Sequence, residues 1–230
     1  MSQLVFKISA VSAALLSCMA TASGAYAWQT ATTSNQEVLT RIANAKPGET
    51  IDIPATFSGP LVISGKHYAE TITLRNYSST IENIVIRNSS NIVIEGGAVI
   101  GGPTVTYAVH IDRSKSISVS GMTLSGAVRG MVINRSESIG VFGNQLLGLR
   151  TDGINAAESR KIMIEGNSCS NFTPIPSVYD EAGKLVLDGD HPDCIQLWSR
   201  PTSAPTADVI IRSNSASGNM QGIFLGNHIR

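Results

Sequence analysis

Between Asp188 and Trp198 the chain gathers three carboxylates, the His191 imidazole, the Gln196 carboxamide and an indole. No other window concentrates so many groups able to move a proton or hold a cation. A related run lies upstream, Thr151-Asp152-Gly153-Ile154-Asn155, and another downstream, Met220-Gln221-Gly222-Ile223-Phe224. Brought together, Asp152 and Asp193 would compete for one proton, share a cation or pair with an arginine such as Arg129 or Arg150. His191 suits proton transfer near neutral pH, and Asp152, Asp190 and Asp193 offer the hard oxygens that Ca²⁺ prefers. Apart, each run is an ordinary polar turn. The elements that carry the three runs therefore decide whether there is a site.

Those elements repeat. Ile92-Val93-Ile94, Ile117-Ser118-Val119, Ile139-Gly140-Val141, Ile162-Met163-Ile164 and Val209-Ile210-Ile211 begin at spacings of 25, 22, 23 and 47 residues, the last being two periods with an insertion. A polar turn precedes each of them, as in Asn88-Ser89-Ser90-Asn91 and Arg135-Ser136-Glu137-Ser138. A second short strand precedes each turn: Val109-His110-Ile111, Met131-Val132-Ile133, Ile154-Asn155-Ala156, Ile195-Gln196-Leu197 and Ile223-Phe224-Leu225. Alternating strands recopied at this period describe stacked β coils that bury a core only together. The Leu and Asn spacing of a leucine-rich repeat is absent. The fold class predicted is all-β, a right-handed parallel β-helix. Val38, Leu39, Ile42 and Ala45 at helical spacing add a short N-terminal capping helix over Glu37–Ala45, started by Ser34 or Asn35 and stopped by Lys46-Pro47-Gly48.

Stacking places equivalent residues of successive coils about 4.8 Å apart. The register of the second strand then yields two outward columns. One reads Tyr107, Arg129, Asp152, Asp193, Gln221; the other reads His110, Val132, Asn155, Gln196, Phe224. The three polar runs become neighbours on one face. Asp152 and Asp193, roughly 5 Å apart, would repel by about 3 kcal/mol at an intermediate dielectric, roughly two pKa units. Asn155 and Gln196 would stack as an amide ladder. The insertion from Asn171 to Leu187 returns directly into Asp188 and should overhang this face as the rim of a groove.

Export is predicted from the start of the chain. Lys7 precedes an apolar run from Ile8 to Leu16, and Ala25-Tyr26-Ala27 has the small-x-small pattern of a signal-peptidase site,. Residues 1–27 read as a removed signal peptide and residues 28–230 as a single β-helix domain, periplasmic or secreted, with no transmembrane helix after cleavage. Formal net charge is zero and charged residues are 15% of the chain, which argues against nucleic acid or an anionic membrane as partner. Cys169 and Cys194 remain after cleavage; export permits a disulfide, and buried free thiols are an equal reading. The last coil reaches Gly226 to Arg230 without a capping pattern, so further coils or a covering partner are expected at that end.

The whole mature stretch resembles the pectin-lyase-like right-handed β-helix superfamily of secreted carbohydrate enzymes. Glu37-Val38-Leu39 through Ala45-Lys46-Pro47-Gly48-Glu49-Thr50-Ile51 is similar to the capping helix and first strand of the alginate-lyase and chondroitinase type. Thr151-Asp152-Gly153-Ile154 and Gly189-Asp190…Asp193-Cys194-Ile195 resemble the polygalacturonase runs Asn-Thr-Asp-Gly and Gly-Asp-Asp-Cys. Here His191-Pro192 splits the aspartates, and Met220-Gln221-Gly222 stands where Gly-His-Gly is expected. The resemblance implies an enzyme acting on an acidic, uronate-containing polysaccharide. Elimination is expected first, with Asp152, Asp193 and His191 catalytic, and Arg129, Arg150, Asn155, Gln196, Trp198 and Gln221 binding substrate. Asp152, Asp190 and Asp193 become ligands if Ca²⁺ neutralises the sugar carboxylate. Hydrolysis by paired aspartates and a non-catalytic glycan-binding or adhesin-type β-helix are the alternatives.

Overall fold

Alternation of inward Ile, Leu and Val with outward polar residues folds each coil, and stacking completes the core. The computed structural model describes residues 35–198 and 202–226. The predicted leader at residues 1–27, the Ser34 cap, His228 and the expectation at the chain end lie outside the described residues. All described residues belong to one unit, Thr32–Arg230. It is a parallel β-solenoid of three sheets, as the repeat predicts. The first sheet holds seven strands, from Thr50–Asp52 and His67–Arg75 to Ala207–Arg212. The site sheet also holds seven: Leu61–Ser64, Ile84–Arg87, Tyr107–Asp112, Arg129–Asn134, Ile154–Ala157, Ile195–Trp198 and Ile223–Gly226. Its inward row runs Leu61, Ile84, Val109, Met131, Ile154, Ile195, Ile223 in register. Those from Leu61 to Ile195 are fully enclosed, each contributing about 1.5–3 kcal/mol.

The third sheet has six strands of two or three residues, among them Ala98–Ile100, Thr123–Ser125, Gln145–Leu147 and Ser168–Ser170. The sequence reading supplied two strands per coil and missed this one. A three-residue strand carries one inward side chain (Val99, Leu124, Leu146 or Cys169), too few for alternation to register.

The helix spans Asn35–Ala43, two residues earlier than predicted, with Val38 and Ile42 buried against the first coil. At its end the Tyr68 hydroxyl donates to the Ile42 carbonyl at 2.6 Å. The turns between first-sheet and site-sheet strands are tied by a serine ladder. The Ser114, Ser136 and Ser159 hydroxyls accept from the backbone amides of Ser89, Ser114 and Ser136, one coil apart. Asn144, Asn167 and Asn214 form a second ladder at the opposite corner.

The insertion forms an antiparallel hairpin, Val178–Tyr179 with Leu185–Leu187. Its base is pinned where the Asp190 amide donates to the Ile175 carbonyl (2.8 Å) and the Ile175 amide to Asp190 Oδ2 (2.9 Å). Cys169 and Cys194 are joined as a disulfide, which corrects the free-thiol reading. Both are buried; Cys169 projects inward from the third sheet, the element the sequence did not disclose.

Candidate functional site

The predicted register holds. Tyr107 pairs with Arg129, and His110, Val132, Asn155, Gln196 and Phe224 form one continuous row. Asp152 and Asp193 sit just before their strands: the Gly130 amide donates to the Asp152 carbonyl and the Gly153 amide to the Asp193 carbonyl. The Asp193 amide donates to Asp152 Oδ1 at 3.1 Å, so the two acids touch through backbone as well as charge. Gly153 makes this approach possible. A Cβ there would lie 2.5 Å from the Cys194 carbonyl oxygen and 3.0 Å from the Cys169 sulfur.

The carboxylates occupy unlike settings. Asp152 accepts from the Asp193 amide, from Arg129 Nε at 3.3 Å and from Asn155 Nδ2 at 3.3 Å, a cradle suited to an anion. Asp193 is 1% exposed; its Oδ2 accepts from Gln196 Nε2 at 3.1 Å, while its Oδ1 is buried without a partner in the described chain. Burial first, then the Asp152 charge, pushes the Asp193 carboxyl up to about 6; the Gln196 hydrogen bond and His191 oppose the shift. Asn155 Nδ2 donates to Gln196 Oε1 at 2.7 Å, so the expected amide ladder exists and ends on Asp193. Asn155 Oδ1 is a second buried, unpartnered acceptor beside it.

These groups line a cavity of about 730 Å³ over the site sheet. Arg129, Asp152, Asn155, Asp193, Gln196 and Gln221 form its polar floor, and Trp198 with Phe224 its apolar edge. Gly189, Asp190 and His191 wall it where the insertion returns, giving the overhang that was expected. His191 stands at the rim: its Nε2 lies 3.3 Å from Asp188 Oδ1, with both side chains largely in solvent. It is not held between the two aspartates. Arg150 lies outside the lining and clamps Asp190 with two 3.0 Å bonds.

That clamp undoes the calcium expectation. Asp190 is spent on Arg150 and the Ile175 amide, and Asp152 on Arg129 and the Asp193 amide. Among the described residues no three His, Cys, Asp or Glu side chains gather to hold a metal. Sequence reasoning missed Asn134 and Ala157, which also line the cavity. They lie two residues beyond Val132 and Asn155, so strand alternation alone places them on the same outward face. Of the other histidines, His110 meets Tyr107 with tilted rings at 4.9 Å and its Nε2 lies 3.4 Å from Asn134 Nδ2. Burial holds the His110 ring below its usual range.

A family model described as periplasmic copper-binding protein (NosD) matches residues 42–175, more than half of the chain. No curated protein matches it. Among the described residues no helix is long and apolar enough to cross a membrane, and the expected periplasmic or secreted location agrees with the family's description.

Proposed function

The chain belongs to the NosD family of periplasmic β-helix proteins, and we propose that on this exported scaffold it binds an acidic polysaccharide along the site sheet and cleaves it at Asp152 and Asp193. The observation that carries the reading is the asymmetry of the pair. One carboxyl sits in an anion cradle; the other is buried, pushed up to about 6, and has an unpartnered oxygen. Neighbouring carboxyls driven apart in this way divide the acid and base roles of glycoside hydrolysis.

In that scheme protonated Asp193 gives its proton to the departing glycosidic oxygen as the C–O bond breaks. Asp152 faces the positive charge building on the sugar ring and accepts a proton from the entering water. Arg129 orients Asp152, the Asn155–Gln196 ladder orients Asp193, and Trp198 with Gln221 contacts the sugar chain. This ordering places hydrolysis ahead of the elimination that the sequence favoured. Elimination needs a cation for the sugar carboxylate, yet Arg129 already faces Asp152 and Asp190 is withdrawn from any calcium site.

Copper, named in the family's description, is best held by imidazole, thiolate and thioether donors. His67 bonds to Ser90, His110 lies against Tyr107 and Asn134, and His191 bonds to Asp188. Cys169 and Cys194 bond to each other. Met122 and Met131 are enclosed in the core, and among the described residues no three His, Cys, Asp or Glu side chains gather, so these donors do not fit a copper ion.

The test is a panel of uronate polymers scored for new reducing ends and for unsaturated product. Hydrolysis expects reducing ends alone. Unsaturated product would restore elimination, and retained binding without any product would leave a glycan-binding module. Asp193→Asn is expected to stay folded and lose roughly 10²–10⁴-fold in rate. Activity of the parent is expected to fall as pH rises past the Asp193 value of about 6; a fully active Asp193→Asn variant would sink the assignment.

A further inference from the structure

We propose that Arg87, Arg113 and Arg135, gathered on Asp112, form a separate oxyanion subsite that holds an acidic group of the glycan about four sugar units from the cleaved bond. The position of that bond rests on the reading above; the capture of the anion does not.

The charge is out of balance. Asp112 is a buried carboxylate, and Arg135 satisfies its Oδ1 with Nη2 at 2.6 Å and Nε at 3.1 Å. Arg113 Nη1 stands 3.2 Å and Arg87 Nε 3.9 Å from Oδ2. One buried anion needs one good guanidinium partner, not three. The surplus guanidiniums are about half exposed, at 54% for Arg87 and 58% for Arg113. Glu158 on the next coil accepts from the Ser203 amide and hydroxyl and also feels the Arg135 charge, so the surplus lies on Arg87 and Arg113.

The backbone makes the placement more telling. Successive coils carry Gly65, Asn88, Arg113, Arg135 and Glu158 at one turn position, all left-handed, with φ of 65°, 45°, 47°, 47° and 50°. Glycine and asparagine suit that conformation, whereas long side chains are disfavoured in it. Arg113 and Arg135 take this conformation where the two preceding coils carry glycine and asparagine, and from it both reach Asp112.

The location suits a polymer. Arg87, Asp112, Asn134 and Ala157 are consecutive partners in one row of the site sheet, and the last two line the cavity. Asp112 is two coils from Asp152 and three from Asp193 and lies five residues further along its strand, since Asp152 stacks on Arg129 and Arg129 pairs with Tyr107; strand spacing and rise put it about 19 and 22 Å away. Each coil advances by about the length of one pyranose unit in an extended chain. A glycan crossing the sheet obliquely, from the aspartates past Asn134 and Ala157, would therefore bring an acidic substituent to the arginines.

The experiment measures affinities of a galacturonate hexamer, a sulfated hexamer and a neutral hexamer by calorimetry. They are taken on the Asp193→Asn protein, so that nothing is consumed, with and without the added pair Arg87→Gln and Arg113→Asn. Arg135 stays to satisfy Asp112. The pair is expected to weaken the matching anionic hexamer roughly tenfold or more, leave the neutral hexamer unchanged and leave the unfolding midpoint unchanged or raised. The anion that loses affinity identifies carboxylate or sulfate as the group recognised. Equal losses for charged and neutral hexamers, no loss at all, or anionic hexamers that bind the parent no better than neutral ones would each overturn the subsite. A selective loss without any polymer cleavage leaves the subsite standing and removes hydrolysis. Cleavage with no arginine effect does the reverse.

Discussion

Burial and the Asp152 charge raise the Asp193 carboxyl from 3.8 to about 6, which inverts the usual dependence of stability on a carboxylate. The folded chain holds this proton more tightly than the unfolded chain. Its stabilising contribution is complete below pH 3.8 and is lost as pH rises through about 6. The loss amounts to about 3 kcal/mol by pH 8. Asp193→Asn, neutral at every pH, should therefore be more stable than the parent at pH 8, with the gap closing near pH 3.5. Urea unfolding at the two pH values reads this directly; a variant equally stable or weaker at pH 8 would show that the anion is well accommodated. At this scale the sequence was informative about adjacency. The column Arg129, Asp152, Asp193, Gln221 was legible because side-chain register follows from the repeat. A repulsion of roughly two pKa units was expected for the pair, with neither acid singled out. The larger cause is burial, which depends on the wall built by the insertion and could not be read from spacing.

Each strand of the site sheet places one or two groups, and the closeness of neighbouring strands sets their coupling. Gly153 is a tight point: a side chain there would meet both the Cys194 backbone and the Cys169 sulfur. Gly153→Ala has nowhere to put its methyl group without moving one of them. It should destabilise the fold by about 1–3 kcal/mol and shift the pH profile of cleavage, because Asp152 immediately precedes it. Unfolding curves and pH–rate profiles of the variant check both. The long strands were legible from alternation. The third-sheet strands were not, having one inward residue each, and with them went the pairing of Cys169 with Cys194. The insertion's role as a rim could be read; the capture of Asp190 by Arg150 could not, since it joins residues 40 apart in sequence through a hairpin of no repeat pattern.

The molecule as a whole is a one-dimensional stack in which each coil rests on its neighbours. The Cys169–Cys194 bond closes a loop of separation 25 within it, joining the coil of Asp152 to that of Asp193. Replacing both cysteines by alanine should lower stability by about 3 kcal/mol on loop-closure grounds, and a reductant should bring the parent toward the variant in the same unfolding assay. An unchanged midpoint would mean the stacked core alone sets the stability of this region. Fold class and exported location were open to the sequence because both are written in periodic or terminal patterns. The family's copper description was not foreseen from the residues, and the described donors do not supply a site for it.

The serine ladder at each turn recurs with the same donor and acceptor from coil to coil. A copy of one of these coils can therefore be added without breaking a joint. Duplicating one coil between Asp112 and Asp152 would leave the arginines and the aspartates internally intact and change only the number of rungs between them. The scaffold is then a ruler with repeatable divisions, and the spacing between the arginine cluster and the aspartate pair is a property of how many coils it counts.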